Sequence, residues 1–130
     1  MLFVNNVENE RDMVLTAKVN RHQHITQYLN IFNGVLGMTV KETEFLHEIL
    51  FQYLTMIDDG IKEPYLGQLA FSKESIAHIK EKLGLSNSGV NNYKTQLIKK
   101  KVLLETATGS QIDPRLIPQA KLEFNFILNE

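Results

Sequence analysis

Apolar residues recur at helical spacing in the first half of the chain, and the pattern there predicts two helices. The first begins near Ile25 and ends at Gly37, since glycine commonly closes a helix. The second covers 40–57 and carries a broad apolar stripe. Its start is marked by Thr39 and Glu42, a capping box in which each side chain can bond the other residue's backbone N–H. This makes 40–57 the best-marked helix in the sequence.

Two further helices, 73–83 and 87–100, are predicted on either side of a three-residue turn. Ser72 and Ser86 are suitable N-cap residues, because a serine hydroxyl can accept from a backbone N–H of the first helical turn. Gly84 ends the earlier helix. A glycine-containing turn of this length is typical of a helix-turn-helix unit, in which the two helices cross at ~90–120°.

Alternating apolar and polar residues predict the extended segments. One strand is expected over 13–19. The segments 102–106 and 121–128 are expected to pair as an antiparallel ribbon, with 108–119 at its tip. The stretch 65–71, YLGQLAF, is interpreted as a short strand. The sequence therefore predicts an α+β fold in which a helix-turn-helix unit is followed by a β-ribbon.

Composition narrows the class of protein. The chain has 130 residues, which suits one buried core, and 43% of them are hydrophobic. Its lack of cysteine excludes disulfides and thiolate metal sites. The sequence contains neither an unbroken apolar stretch of about 18 residues nor the basic and apolar start of a secretory signal. We therefore expect a cytoplasmic protein, or one inside a particle assembled in the cytoplasm, with no membrane partner.

The positive charge is concentrated in one segment. Residues 72–101 hold seven lysines and two glutamates, an excess of +5, whereas 1–71 and 102–130 carry −4 and −2. The whole chain has a net charge of −1. A basic patch on a nearly neutral chain indicates a localised phosphate contact, which the acidic remainder would weaken.

The stretch 79–103, IKEKLGLSNSGVNNYKTQLIKKKVL, resembles the core of the winged helix-turn-helix superfamily, most closely its MarR-like and replication-initiator-like members. Val90 and Tyr93 follow Gly84 by six and nine residues, where that superfamily places residues that pack the recognition helix. Two positions differ, since Lys80 replaces a commonly small residue and Lys101 a commonly exit-forming glycine. The resemblance, which covers about 39–128, implies a winged-helix domain over 39–130 and an N-terminal strand and helix over 1–38.

The resemblance also implies where double-stranded DNA would be contacted. The outward face of the helix 87–100 would enter the major groove, where asparagine can pair with adenine, and lysine or serine can reach guanine or phosphate. The candidate groove contacts are Asn87, Ser88, Asn91, Asn92, Lys94 and Thr95. The candidate phosphate contacts are Lys73, Lys99, Lys100 and Lys101. A solvated helix face in a chain with eleven asparagines and eleven lysines would look similar.

Other functions receive less support from the sequence. His22 and His24 lack further ligands at metal-site spacing, so a surface turn is the expectation there. The sequence shows neither a nucleophile elbow nor a phosphate-binding glycine loop, and we predict a non-enzymatic protein without a cofactor. The apolar residues Tyr28 and Phe32 suggest a self-association surface. The alternative to DNA binding is a structural or assembly module with the same fold, for example in a viral particle.

Overall fold

The computed structural model describes residues 2–6 and 13–121. This part of the chain is an α+β fold made mostly of helices. In chain order the elements are β1 (Leu2–Asn6), β2 (Met13–Ala17), α1 (Arg21–Leu36), α2 (Val40–Asp58), α3 (Tyr65–Ala70), α4 (Lys73–Leu83), α5 (Asn87–Lys99), β3 (Leu103–Thr106) and β4 (Gly109–Ile112). Among these helices, none is both long and apolar enough to cross a membrane.

The helices α2, α4 and α5 have the predicted bounds to within one residue, and their caps form as expected. The Thr39 hydroxyl accepts from the Glu42 N–H at 3.1 Å, and Glu42 Oε1 accepts from the Thr39 N–H at 2.9 Å. The hydroxyls of Ser72 and Ser86 accept from backbone N–H groups at the starts of α4 and α5. Local side-chain capping therefore sets the starts of α2, α4 and α5.

α2 lies at the centre of the buried core. Phe45, Leu46 and Tyr53 on this helix are fully buried, and α1, α3, α4 and α5 all pack against it. Residues from every one of these neighbours belong to the same core, including Ile25 of α1 and Leu97 of α5. The apolar stripe predicted over 40–57 is thus the surface on which the other helices assemble.

The N-terminal elements differ from their prediction. α1 begins at Arg21, because Asn20 caps it and forms a second capping box with Gln23. The surface turn expected at His22 and His24 is therefore wrong, since both residues lie in the first turns of a helix. β1 was missed by the sequence pattern; it pairs antiparallel with β2, in the register Leu2 to Ala17.

The short strand expected over 65–71 is wrong, because these residues form the helix α3. Leu66, Gly67 and Ala70 are buried, a spacing that suits one helical face. Gly67 lies against β4 so closely that a Cβ atom there would be 2.2 Å from the Ser110 carbonyl oxygen. Only a residue without a side chain allows α3 to approach the β4 backbone at this point.

The segment 108–119, expected at the tip of the ribbon, is wrong, because residues 109–112 of it form the strand β4. β3 pairs with β4 in an antiparallel hairpin, in the register Leu103 to Ile112 and Thr106 to Gly109. Gly109 has a φ of 116° and accommodates the two-residue turn between the strands. A two-residue loop has a smaller closure entropy than the predicted twelve-residue tip. The predicted pairing of 102–106 with 121–128 lies, from residue 122 on, outside the described residues.

A series of hydrogen bonds, of which one is buried and two are partly buried, attaches this hairpin to the helices. The Ile112 N–H donates to the Tyr53 hydroxyl at 3.3 Å, and that hydroxyl donates to Glu63 Oε2 at 3.2 Å. Glu63 Oε1 accepts from the Gly67 N–H at 2.8 Å. Burial raises the pKa of Tyr53 far above its usual range, so the hydroxyl remains a donor. These hydrogen bonds connect β4 with α2 and α3.

Candidate nucleic-acid interface

α4 and α5 are joined by a turn that local sequence signals fully account for. Gly84 has a φ of 67°, a left-handed conformation that favours glycine, and ends α4. The N–H groups of Gly84 and Leu85 both donate to the Lys80 carbonyl. Ser86 then caps α5. The three residues 84–86 therefore redirect the chain and satisfy backbone groups at the end of α4 and at the start of α5.

α5 has one buried side and one exposed side. Val90 and Leu97 are buried, and the Tyr93 ring lies 6.0 Å from that of Phe45 on α2, measured between centroids. This confirms the inward side predicted for the helix. Leu97 is fully buried and anchors the middle of α5 to the core.

The opposite side of α5 holds the predicted groove contacts. Asn87, Ser88, Asn91, Asn92 and Thr95 are exposed, and Lys94 is half-buried. Asn91 and Thr95 are four residues apart on one helix face, and the Thr95 hydroxyl donates to the Asn91 carbonyl at 2.8 Å. The side-chain amides of Asn91 and Asn92 make no hydrogen bond within the described part of the chain. Both ends of each amide are therefore available to a ligand.

Lys100 is occupied by contacts inside the protein. Its ammonium donates to Glu42 Oε1 at 2.5 Å and to the Gly37 carbonyl at 3.0 Å. Burial alone would raise the pKa of Glu42, but hydrogen bonds from Lys100 and Thr39, with the Lys100 charge, lower it below its usual value. Lys100 thus joins the end of α5 to the joint between α1 and α2, away from the exposed face.

Two other lysines near α5 make intramolecular contacts. The Lys94 ammonium lies 5.2 Å from the centre of the Phe71 ring, a cation–π contact that still leaves Lys94 half-exposed. The Lys80 ammonium, on α4, donates to the side-chain oxygen of Asn87. The Lys80 side chain therefore spans the turn between α4 and α5.

Lys101 occupies the exit from α5 with a φ of 61°. This is a left-handed conformation, which favours glycine. The lysine therefore adopts a backbone shape that glycine would adopt without strain. Its side chain is exposed at the base of β3.

Three predicted phosphate contacts remain free to meet an anion. Lys73, Lys99 and Lys101 are exposed and make no ion pair within residues 16–121. By contrast, the hairpin sequence 103–112 contains no lysine or arginine, and Glu105 is its one charged residue. The available positive charge accordingly lies along α4 and α5 and not on the hairpin.

The self-association surface predicted from α1 is largely covered by the chain itself. Tyr28 is buried, and its hydroxyl donates to the Arg115 carbonyl at 2.9 Å. Phe32 is half-buried beside it, with ring centroids 5.0 Å apart. The exposed apolar residues of this helix are Ile31 and Val35 instead. Self-association stays a prediction, and it would have to use a different face of α1.

Asp113 and Arg115 belong to the segment 108–119 that was expected at the tip of the ribbon, but the tip is the turn at Ala107 and Thr108. Asp113 instead caps a single 3-10 turn after β4. Hydrogen bonds from Arg115 lower the pKa of this carboxyl group.

Comparisons of the chain with protein-family models, curated proteins and solved structures found no match.

Proposed function

We propose that the chain is a winged helix-turn-helix protein that binds double-stranded DNA with α5 in the major groove. The observation that carries the proposal is the exposed face of α5, which presents side-chain amides and hydroxyls. The segment that contains this helix has no carboxylate side chain between Glu81 and Glu105. Asparagine can pair with adenine edges, and free lysines can neutralise phosphates. The order of α2, α4, α5 and the β3–β4 hairpin corresponds to the three helices and wing of that fold, and so supports the proposal.

The proposed role is non-enzymatic. A regulator of transcription, or an accessory of replication or partition, acts by occupying DNA and needs no cofactor. We place this activity in the cytoplasm or in a particle assembled there. The phosphate contacts of the proposal are Lys73, Lys99 and Lys101; Lys100 is left out because Glu42 holds its ammonium.

Salt dependence of duplex affinity tests the proposal. Each neutralised phosphate releases condensed counterion, so three contacts from Lys73, Lys99 and Lys101 give a log–log slope of roughly −2.7. A fourfold rise in salt should then cost about fortyfold in affinity. Replacing Lys99 and Lys101 with alanine should flatten the slope by about two units, whatever the DNA sequence.

The matched control removes the same charge elsewhere. Lys41 and Lys82 pair with Glu44 and Glu48, and the double alanine variant at these lysines should leave the slope nearly unchanged. Asn91→Ala should relax base preference at one position and also keep the slope. If salt-dependent affinity for duplex DNA is absent even when the salt concentration is lowered to about 50 mM, DNA binding by α5 is refuted.

A structural or assembly role is the second candidate, and one observation favours it. Tyr65 and Leu69 on α3 are 62% and 46% exposed, and with Ile61 they line a shallow hollow of about 560 Å³. Exposed aromatic and aliphatic side chains grouped in this way suit a protein partner. Substituting Tyr65 and Leu69 with serine should leave duplex affinity intact if DNA is the partner of α5.

A further inference from the structure

We infer that Lys80 is a positioning residue that decides which base Asn87 recognises. The inference rests on the proposed function and adds a specificity to it. Lys80 lies in the last turn of α4, and Asn87 is the first residue of α5. The ammonium of Lys80 crosses the intervening turn and donates to Asn87 Oδ1. Asn87 is exposed, whereas Lys80 is half-buried beside it.

The hydrogen bond changes what the Asn87 amide can offer to a duplex. A side-chain amide pairs bidentately with adenine when its oxygen accepts from N6 and its NH₂ group donates to N7. The Lys80 ammonium takes one of the two lone pairs of that oxygen. Its positive charge repels an adenine amino group from the other lone pair, so Asn87 presents its NH₂ group to a base.

An amide that only donates selects bases by their acceptors. In the major groove guanine presents O6 and N7 and thymine presents O4, whereas cytosine presents an amino donor. Asn87 should therefore favour guanine or thymine and reject cytosine. Asn91 lies one turn further along α5 and has no such restraint, so it keeps the bidentate geometry for adenine. The two asparagines are predicted to read different bases because of a residue on the other helix.

Selection from a randomised duplex library tests this assignment. Wild type should enrich guanine or thymine at one position, and Asn87→Ala should identify that position by losing the preference. Lys80→Met keeps the apolar stem and removes the ammonium, so the freed oxygen should shift the same position toward adenine by roughly tenfold. Lys80→Arg should restore the wild-type preference. Lys82→Met, which removes an equal charge from α4, should leave all positions unchanged.

The outcomes separate the inference from the proposed function. If wild type enriches duplexes and Lys80→Met selects the same bases, the positioning role is refuted. Loss of about one unit of salt slope in Lys80→Met, without a change of base, would make Lys80 a phosphate contact instead. Failure of wild type to enrich any duplex refutes both the inference and DNA binding. Helical circular dichroism of each variant shows whether the fold is intact, and Lys80→Arg carries the test if Lys80→Met does not fold.

Discussion

At the scale of single residues, Lys101 occupies a backbone conformation that favours glycine. The chain must turn sharply between α5 and β3, and it does so with a φ of 61° at Lys101. An L-residue in this conformation costs about 1–2 kcal/mol, because Cβ approaches the following carbonyl oxygen. The lysine is retained despite this cost, and in the proposed function its charge meets a phosphate.

Lys101→Gly is expected to raise the free energy of unfolding by about 1 kcal/mol, since glycine adopts a positive φ without strain but loses more entropy on folding. Urea denaturation of the variant measures the change. Lys101→Ala is the matched control, because it removes the same charge and keeps the strained Cβ. Equal stability of the two variants would show that the exit conformation does not strain the lysine.

At the scale of elements, the packing of α3 on β4 depends on one missing side chain. Gly67→Ala places Cβ 2.2 Å from the Ser110 carbonyl oxygen, a backbone atom that cannot move away independently. We expect the variant to lose about 1–3 kcal/mol of stability, as overpacked core sites do.

The chain offers an internal control for this substitution. Gly34 lies inside α1 with open space around its Cβ position, so Gly34→Ala should raise stability by about 0.5–1 kcal/mol. The midpoints of thermal unfolding should move in opposite directions for the two variants. A similar shift for both would mean that α3 does not approach β4 closely in solution.

The elements also show what the sequence could predict. α2, α4 and α5 could be predicted because each carries its cap and its apolar spacing within a few residues of chain. α3 could not, since six residues are too few to show helical spacing and their burial depends on contact with β4. The strand β4 was missed because GSQI, at 109–112, lacks the alternation that 121–128 displays.

The candidate site was predictable to a similar extent. The exposed and buried sides of α5 follow directly from the positions of Val90 and Leu97. The contact between Lys100 and Glu42 joins residues 58 positions apart, and no local pattern indicates it. The bond from Lys80 to Asn87 depends on how the turn brings two helix ends together, which spacing alone does not determine.

At the scale of the whole molecule, Glu42 makes the contact between α1, α2 and the end of α5 depend on pH. Its carboxylate is buried, caps α2 and pairs with Lys100 at the end of α5. Since its pKa is lowered in the folded protein, the pair stabilises the fold above the ordinary value of about 4.5. That contribution is lost as the pH falls through the lower, folded-state pKa.

Glu42→Gln should therefore destabilise the protein at neutral pH by about 1–3 kcal/mol, the range for a hydrogen bond to a charged group. Glutamine can still complete the capping box, so the substitution removes the charge pair and little else. The difference from wild type should shrink as the pH falls from about 5 toward 3. Urea titrations across this range measure it. Glu44→Gln, an exposed change on the same helix, should show a small effect that hardly varies with pH.

The bond between Ile112 and Tyr53 has a consequence for how the molecule fluctuates. An isolated two-stranded hairpin frays readily in water. Here, release of β4 would break the hydrogen bond from the Ile112 N–H to the buried Tyr53 hydroxyl and would separate the strand from Gly67. The hairpin should therefore open only together with α2 and α3, as part of one cooperative unit. The exit of α5, which continues directly into β3, would consequently keep a single orientation between encounters with a ligand.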